Sequence, residues 1–204
     1  MSRRQRREEV RRIRWRRARA ILASGLVLGV GTAVTLAAWN DAEYGAATFT
    51  AGRFGIVGAT DGSTFTEHSS VGAAATLSFQ APPTAMAPGQ TVYTLFSVKT
   101  LNPSVAGTVQ LLAGTPTGGL AGMLRYGVRA IGGTTCNATS YAAGTAVVPD
   151  GSALATNGSG SLPLPADGAS AVSYCFAITL PSGADNSAQG QTMSQTWQFS
   201  AVSS

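Results

Sequence analysis

His68 is the only histidine among 204 residues, and Cys136 and Cys175 are the only cysteines. A catalytic zinc usually takes three protein ligands, and the helical HExxH arrangement needs two histidines one turn apart. Glu67-His68 lies instead in the polar stretch TDGSTFTEHSS, so Asp61, Glu67 and His68 read as a solvated loop rather than a ligand set. A serine triad would have to use the same imidazole, and no GxSxG elbow presents a nucleophile. Gly132-Gly133 and Gly158-Ser159-Gly160 lack the lysine and the strand-to-helix setting of a phosphate loop, and Gly118-Gly119 reads as a turn. Asp41 and Glu43 are not embedded in a run of alternating acidic ligands, so they read as solvated rather than calcium-binding. Asn137-Ala138-Thr139 and Asn157-Gly158-Ser159 match glycosylation acceptors and read as chance matches. No residue is assigned to catalysis or to a metal, and no cofactor is expected.

Charge divides the chain. The net +5 comes from the first 38 residues, which hold ten arginines against Glu8 and Glu9. Beyond them Arg53, Lys99, Arg125 and Arg129 face seven acids. Those four scattered cations form no basic stripe, so nucleic acid is not expected as a partner. RRQRREEVRRIRWRRAR followed by the uncharged AILASGLVLGVGTAVTLAA has the layout of a secretory signal peptide. Arginines stay on the cytoplasmic side while the apolar run enters the membrane, and Leu36-Ala37-Ala38 offers small side chains to a peptidase. Residues 1–38 are therefore expected to be a signal peptide cut between Ala38 and Trp39. The alternative is an uncleaved anchor, which Gly25, Gly29 and Gly31 weaken as a helix. Membrane contact is expected only through this leader, and the mature protein is expected outside the cell or at its surface. An exported chain meets oxidising surroundings, and no CxxC spacing suggests redox work, so a Cys136–Cys175 disulfide is expected.

Residues 39–204 are expected to form one domain. Strand signals recur every ten to fifteen residues between Gly, Pro, Asn and Asp, with no sustained 3.6-residue period. MSQTWQFSAV, residues 193–202, puts Met193, Trp197, Phe199 and Ala201 on one face. VSYCFAITL, residues 172–180, directs Val172, Tyr174, Phe176, Ile178 and Leu180 inward and Ser173, Cys175, Ala177 and Thr179 outward. Further strands are expected over 46–57, 75–79, 91–101, 105–113, 123–131 and 141–148. Residues 149–170 read as a long exposed loop with room for one short strand. About eight strands at this spacing predict an all-β, antiparallel β-sandwich of jelly-roll-like type rather than an open sheet, with a closed barrel as the alternative.

The junction GVGTAVTLAAWNDAEYGAATFTAGRFGIVG, residues 29–58, resembles the start of the TasA and camelysin family of exported Gram-positive bacterial proteins. The resemblance rests on the Gly-rich apolar segment, on Trp39-Asn40-Asp41 after the small-residue site, and on Thr48-Phe49-Thr50-Ala51-Gly52-Arg53-Phe54. Ala87-Pro88-Gly89-Gln90 and Thr196-Trp197-Gln198-Phe199-Ser200-Ala201 echo the family more weakly. The resemblance implies export through a dedicated ER-type signal peptidase (the SipW-dependent route), a jelly-roll domain and, in the best-known members, assembly into biofilm-matrix fibres. There the mature N-terminal segment pairs with a neighbouring subunit as a donated strand. Carried over, that donor would start at Trp39, Asn40 and Asp41 and use Tyr44, Thr48 and Phe49 for pairing and anchorage.

The leading expectation is thus a non-enzymatic structural or surface protein that self-associates. The alternatives are a camelysin-like metalloprotease, which needs a metal, and a monomeric surface adhesin or ligand-binding module using the loop 149–170.

Overall fold

A computed structural model describes residues 3–35, 41–80 and 83–204. The chain divides into two compact units, Met1–Phe49 and Thr50–Ser204.

The first unit contains helix α1, Arg3–Thr35. Arginine, glutamate and alanine lose little on entering a helix, and no proline interrupts the run. No helix among the described residues is long and apolar enough to cross a membrane. The expected cleavage point, Ala38 and Trp39, lies outside the described residues, as does Asn40.

The second unit is the expected antiparallel β-sandwich. Its strands are β1 (Ile56–Ala59), β2 (Thr91–Thr100), β3 (Gly107–Ala113), β4 (Arg125–Ile131), β5 (Thr145–Ala153), β6 (Leu162–Leu164), β7 (Val172–Thr179) and β8 (Trp197–Ser203), with a short helix α2 (Ala138–Ala143) between β4 and β5. One sheet has the order β1-β2-β7-β4-β5 and the other β6-β3-β8. The steps β2 to β3 to β4, and β5 to β6 to β7 to β8, each cross from one sheet to the other, the weaving that gives a sandwich its non-local pairings.

Between the sheets lie Val92, Phe96 and Val98 of β2, Tyr126 and Val128 of β4, and Tyr174, Phe176 and Ile178 of β7. From the three-stranded sheet come Val109 and Leu111 of β3, with Trp197, Phe199 and Ala201 of β8 packed against them. The period-two alternation of β7 and β8 is what brings these side chains together. Phe199 stacks on Phe96 at 4.7 Å and meets Tyr174 at 4.9 Å, while Trp197 meets Phe176 at 5.0 Å. These offset and tilted rings are the favoured aromatic geometries.

Several sequence expectations need correction. Cys175 and Ala177 point away from the sheet interface as expected but are buried there, together with Leu95, Ile131, Cys136 and Tyr141. The reason is a second layer, the 132–144 segment carrying α2, which covers the outer face of the five-stranded sheet. A strand from residue 141 is not formed, because Asn137 caps a helix there: its side chain accepts from Ser140 N while the Ser140 hydroxyl accepts from Asn137 N, a reciprocal cap that satisfies free helical donors. Residues 149–153 belong to β5, and Leu154 and Leu164 are buried; the rest of the expected loop is mostly exposed and carries the one short strand β6. Of the strand expected over 46–57 only its last residues enter β1. The segment 75–79 contributes one isolated bridge, Phe79 to Thr94, not a strand.

Candidate functional site

Asp41, Tyr44, Thr48 and Phe49 lie in a stretch without regular structure and are exposed, Tyr44 and Phe49 at 94% and 92%. Commitment to the sandwich begins just downstream. Arg53 Nε donates to Pro103 O at 2.8 Å, Val105 N to Arg53 O at 3.0 Å and Leu101 N to Gly55 O at 2.9 Å. Phe54 then sits against Gly107, where an added Cβ would lie 2.6 Å from its ring.

The residues weighed for metal binding are not brought together; among the described residues no three His, Cys, Asp or Glu side chains gather. His68 is occupied by its own loop, with Nε2 3.0 Å from Thr66 Oγ1 and Nδ1 3.1 Å from Ala73 O. Asp61 accepts from Ser63 N at 2.8 Å and Thr64 N at 2.7 Å. Those backbone donors hold its carboxyl well below the usual carboxylate range.

Cys136 and Cys175 form a disulfide, with Cα atoms 5.3 Å apart. Both are buried, which shields the bridge from solvent thiols.

Sequence reasoning missed one polar constellation. The Tyr141 hydroxyl donates to Asp150, Arg129 Nη2 donates to Asp150 Oδ2 at 2.9 Å, and the Arg129 guanidinium lies 5.0 Å from the Tyr141 ring centre. The Tyr141 hydroxyl and then Arg129 depress the Asp150 carboxyl, while burial and the bond to Asp150 push the Tyr141 phenol up. Gly127 makes the approach possible: a Cβ there would lie 2.2 Å from the Tyr141 hydroxyl and 2.6 Å from Asp150 Oδ1. The cluster clamps α2 onto β4 and β5 and holds no nucleophile. The capping pair Asn137 and Ser140 was its one local signal; the meeting of residues 129, 141 and 150 depends on strand pairing.

The segment 149–170, expected as an exposed loop and used for binding only in the adhesin alternative, contributes Asn157, whose Oδ1 accepts from Ala113 N at 2.8 Å, and Gly158, whose N donates to Leu111 O at 2.9 Å. It is tied along β3 rather than standing free. No protein-family model matches this chain, and no curated protein matches it.

Proposed function

We propose that this protein is an exported, non-enzymatic surface or matrix protein of the TasA and camelysin kind, which self-associates by donating its mature N-terminal segment as a strand to a neighbouring copy. The observation that carries this reading is the contrast on either side of residue 50: Tyr44 and Phe49 are almost wholly exposed, whereas the chain from Arg53 onward is hydrogen-bonded into a sandwich that closes its core without them. An extended segment with spaced aromatic anchors is what strand addition uses, since backbone groups supply affinity and alternate side chains supply fit. The low charge of the domain leaves little repulsion to oppose association. The 30-residue likeness around the leader supports the export and assembly parts of the reading.

The test is removal of residues 39–49 from the exported form. Polymers are expected to vanish while the thermal melt of the domain stays unchanged. Assembly undiminished by the deletion would sink the reading.

A further inference from the structure

The two sheets end in four edge strands, and three of them are blunted. In β1, Gly58 already exchanges two backbone hydrogen bonds with Thr66, at 3.0 and 2.9 Å. β5 carries Pro149 and Asp150, slips register against β4, and gives its Val147 carbonyl to Ser159 N. β6 is three residues long with Pro163 at its centre. These are the devices by which natural sheets avoid edge-to-edge pairing.

β8 has none of them. Its seven residues, WQFSAVS, include no proline and no ionisable side chain, and it runs along β3 in unbroken register. Thr196 O accepts from Gly114 N, and Ser204 N donates to Ala106 O, so the even-numbered residues direct their polar backbone groups toward β3. Antiparallel alternation then turns the N–H and C=O of Trp197, Phe199, Ala201 and Ser203 outward. Among the described residues no backbone hydrogen bond reaches those groups.

We infer that β8 of one molecule pairs antiparallel with β8 of a second copy across a two-fold axis, fusing two three-stranded sheets into one. The strand is complementary to itself. Centred on Ser200, the pairing sets Phe199 opposite Ala201 and Trp197 opposite Ser203, so on the core side each ring meets a small side chain. Gln198 faces Val202 on the outer side, and Ser200 faces its own copy. All seven residues find a partner, and the outward-turned backbone groups lie in register for hydrogen bonding. No charge meets a like charge, because β6, β3 and β8 carry none. Trp197, Phe199 and Ala201 are half-buried in the single molecule, and the second copy covers what remains open. This contact uses the same surface on both molecules and closes at two, unlike the head-to-tail contact of strand donation, and it does not rest on that reading.

The experiment expresses the full chain with its leader, recovers the exported protein, and follows its mass by sedimentation over a concentration series. The same series with residues 39–49 deleted separates the two kinds of contact. A reversible dimer is expected to persist after the deletion. Ser200 lies at the axis in a pair whose Cβ atoms should sit about 4.5–5.5 Å apart, so S200C is expected to give a covalent dimer on oxidation. S200K and S200E each place like charges face to face and are expected to weaken the dimer roughly tenfold; mixing the two variants restores it. Ser200 faces outward on the sheet, so the thermal melt reports that each variant remains folded. A protein that stays monomeric after the deletion, an S200C variant that does not cross-link, or a mixture of S200K and S200E no tighter than either alone would overturn the proposal. Association that ignores every change at Ser200 yet disappears with residues 39–49 would overturn it while leaving strand donation standing.

Discussion

Cys136, in the loop after β4, is joined to Cys175 at the centre of β7, 39 residues further along. The bridge fastens a second apolar layer to the outer face of the five-stranded sheet, where Leu95, Ile131, Tyr141 and Ala177 are buried around it. A closed loop of this length stabilises a fold by about 4 kcal/mol on the chain-entropy argument. The double variant C136S/C175S is expected to lose roughly that much in a guanidinium titration. Hydrogen exchange should accelerate first over 132–144 and on the outer face of β7; uniform acceleration across both sheets would show that the second layer is not a separate unit.

The Tyr141 hydroxyl is the main support of the Asp150 carboxylate. Y141F removes a hydrogen bond to a charged group and should cost about 1–2 kcal/mol. Asp150 is depressed in the folded protein, so its contribution to stability is present above the ordinary carboxylate value near 4 and is lost as pH falls below it. Thermal melts of the wild type should therefore decline on acidification through that range, and Y141F should show a shallower decline. Parallel declines would place the acid sensitivity elsewhere.

Burial raises the phenols of Tyr126, to about 12, and of Tyr141 and Tyr174. For groups raised in the folded state the stabilisation is complete below the free phenol value near 10 and is lost as pH climbs through the folded value. The protein is expected to unfold cooperatively at strongly alkaline pH, with phenolate absorbance and loss of near-ultraviolet dichroism appearing together. Phenolate absorbance reaching completion before any unfolding would contradict this.

Phe176 is fully buried between the sheets, against Trp197 and Phe199. F176A removes a ring that cannot be replaced by collapse of two hydrogen-bonded sheets, and should cost about 3–5 kcal/mol in a denaturant titration. A loss below about 1 kcal/mol would imply that the three-stranded sheet re-packs freely over the gap.

The alternation of apolar and polar residues in β7 and β8, with about eight strand signals at regular spacing, was enough to point to an all-β fold and to the residues that face the space between the sheets, because successive side chains of a strand point to opposite faces. The two cysteines, read as those of an exported chain, pointed to the bridge that Cys136 and Cys175 form. What local pattern did not carry was anything set by pairing between distant segments. Tyr141 reads as a strand residue until the Asn137 cap and the closure over β7 make it helical. Leu164 reads as a loop residue until β3 lies beside it, and Ala46 to Gly55 read as a strand although no neighbour supplies a ladder. Strand order, the second layer over Cys175 and the open edge of β8 are decided only in three dimensions, since a strand's hydrogen-bonding partner lies outside its own sequence and an edge exists only relative to a sheet.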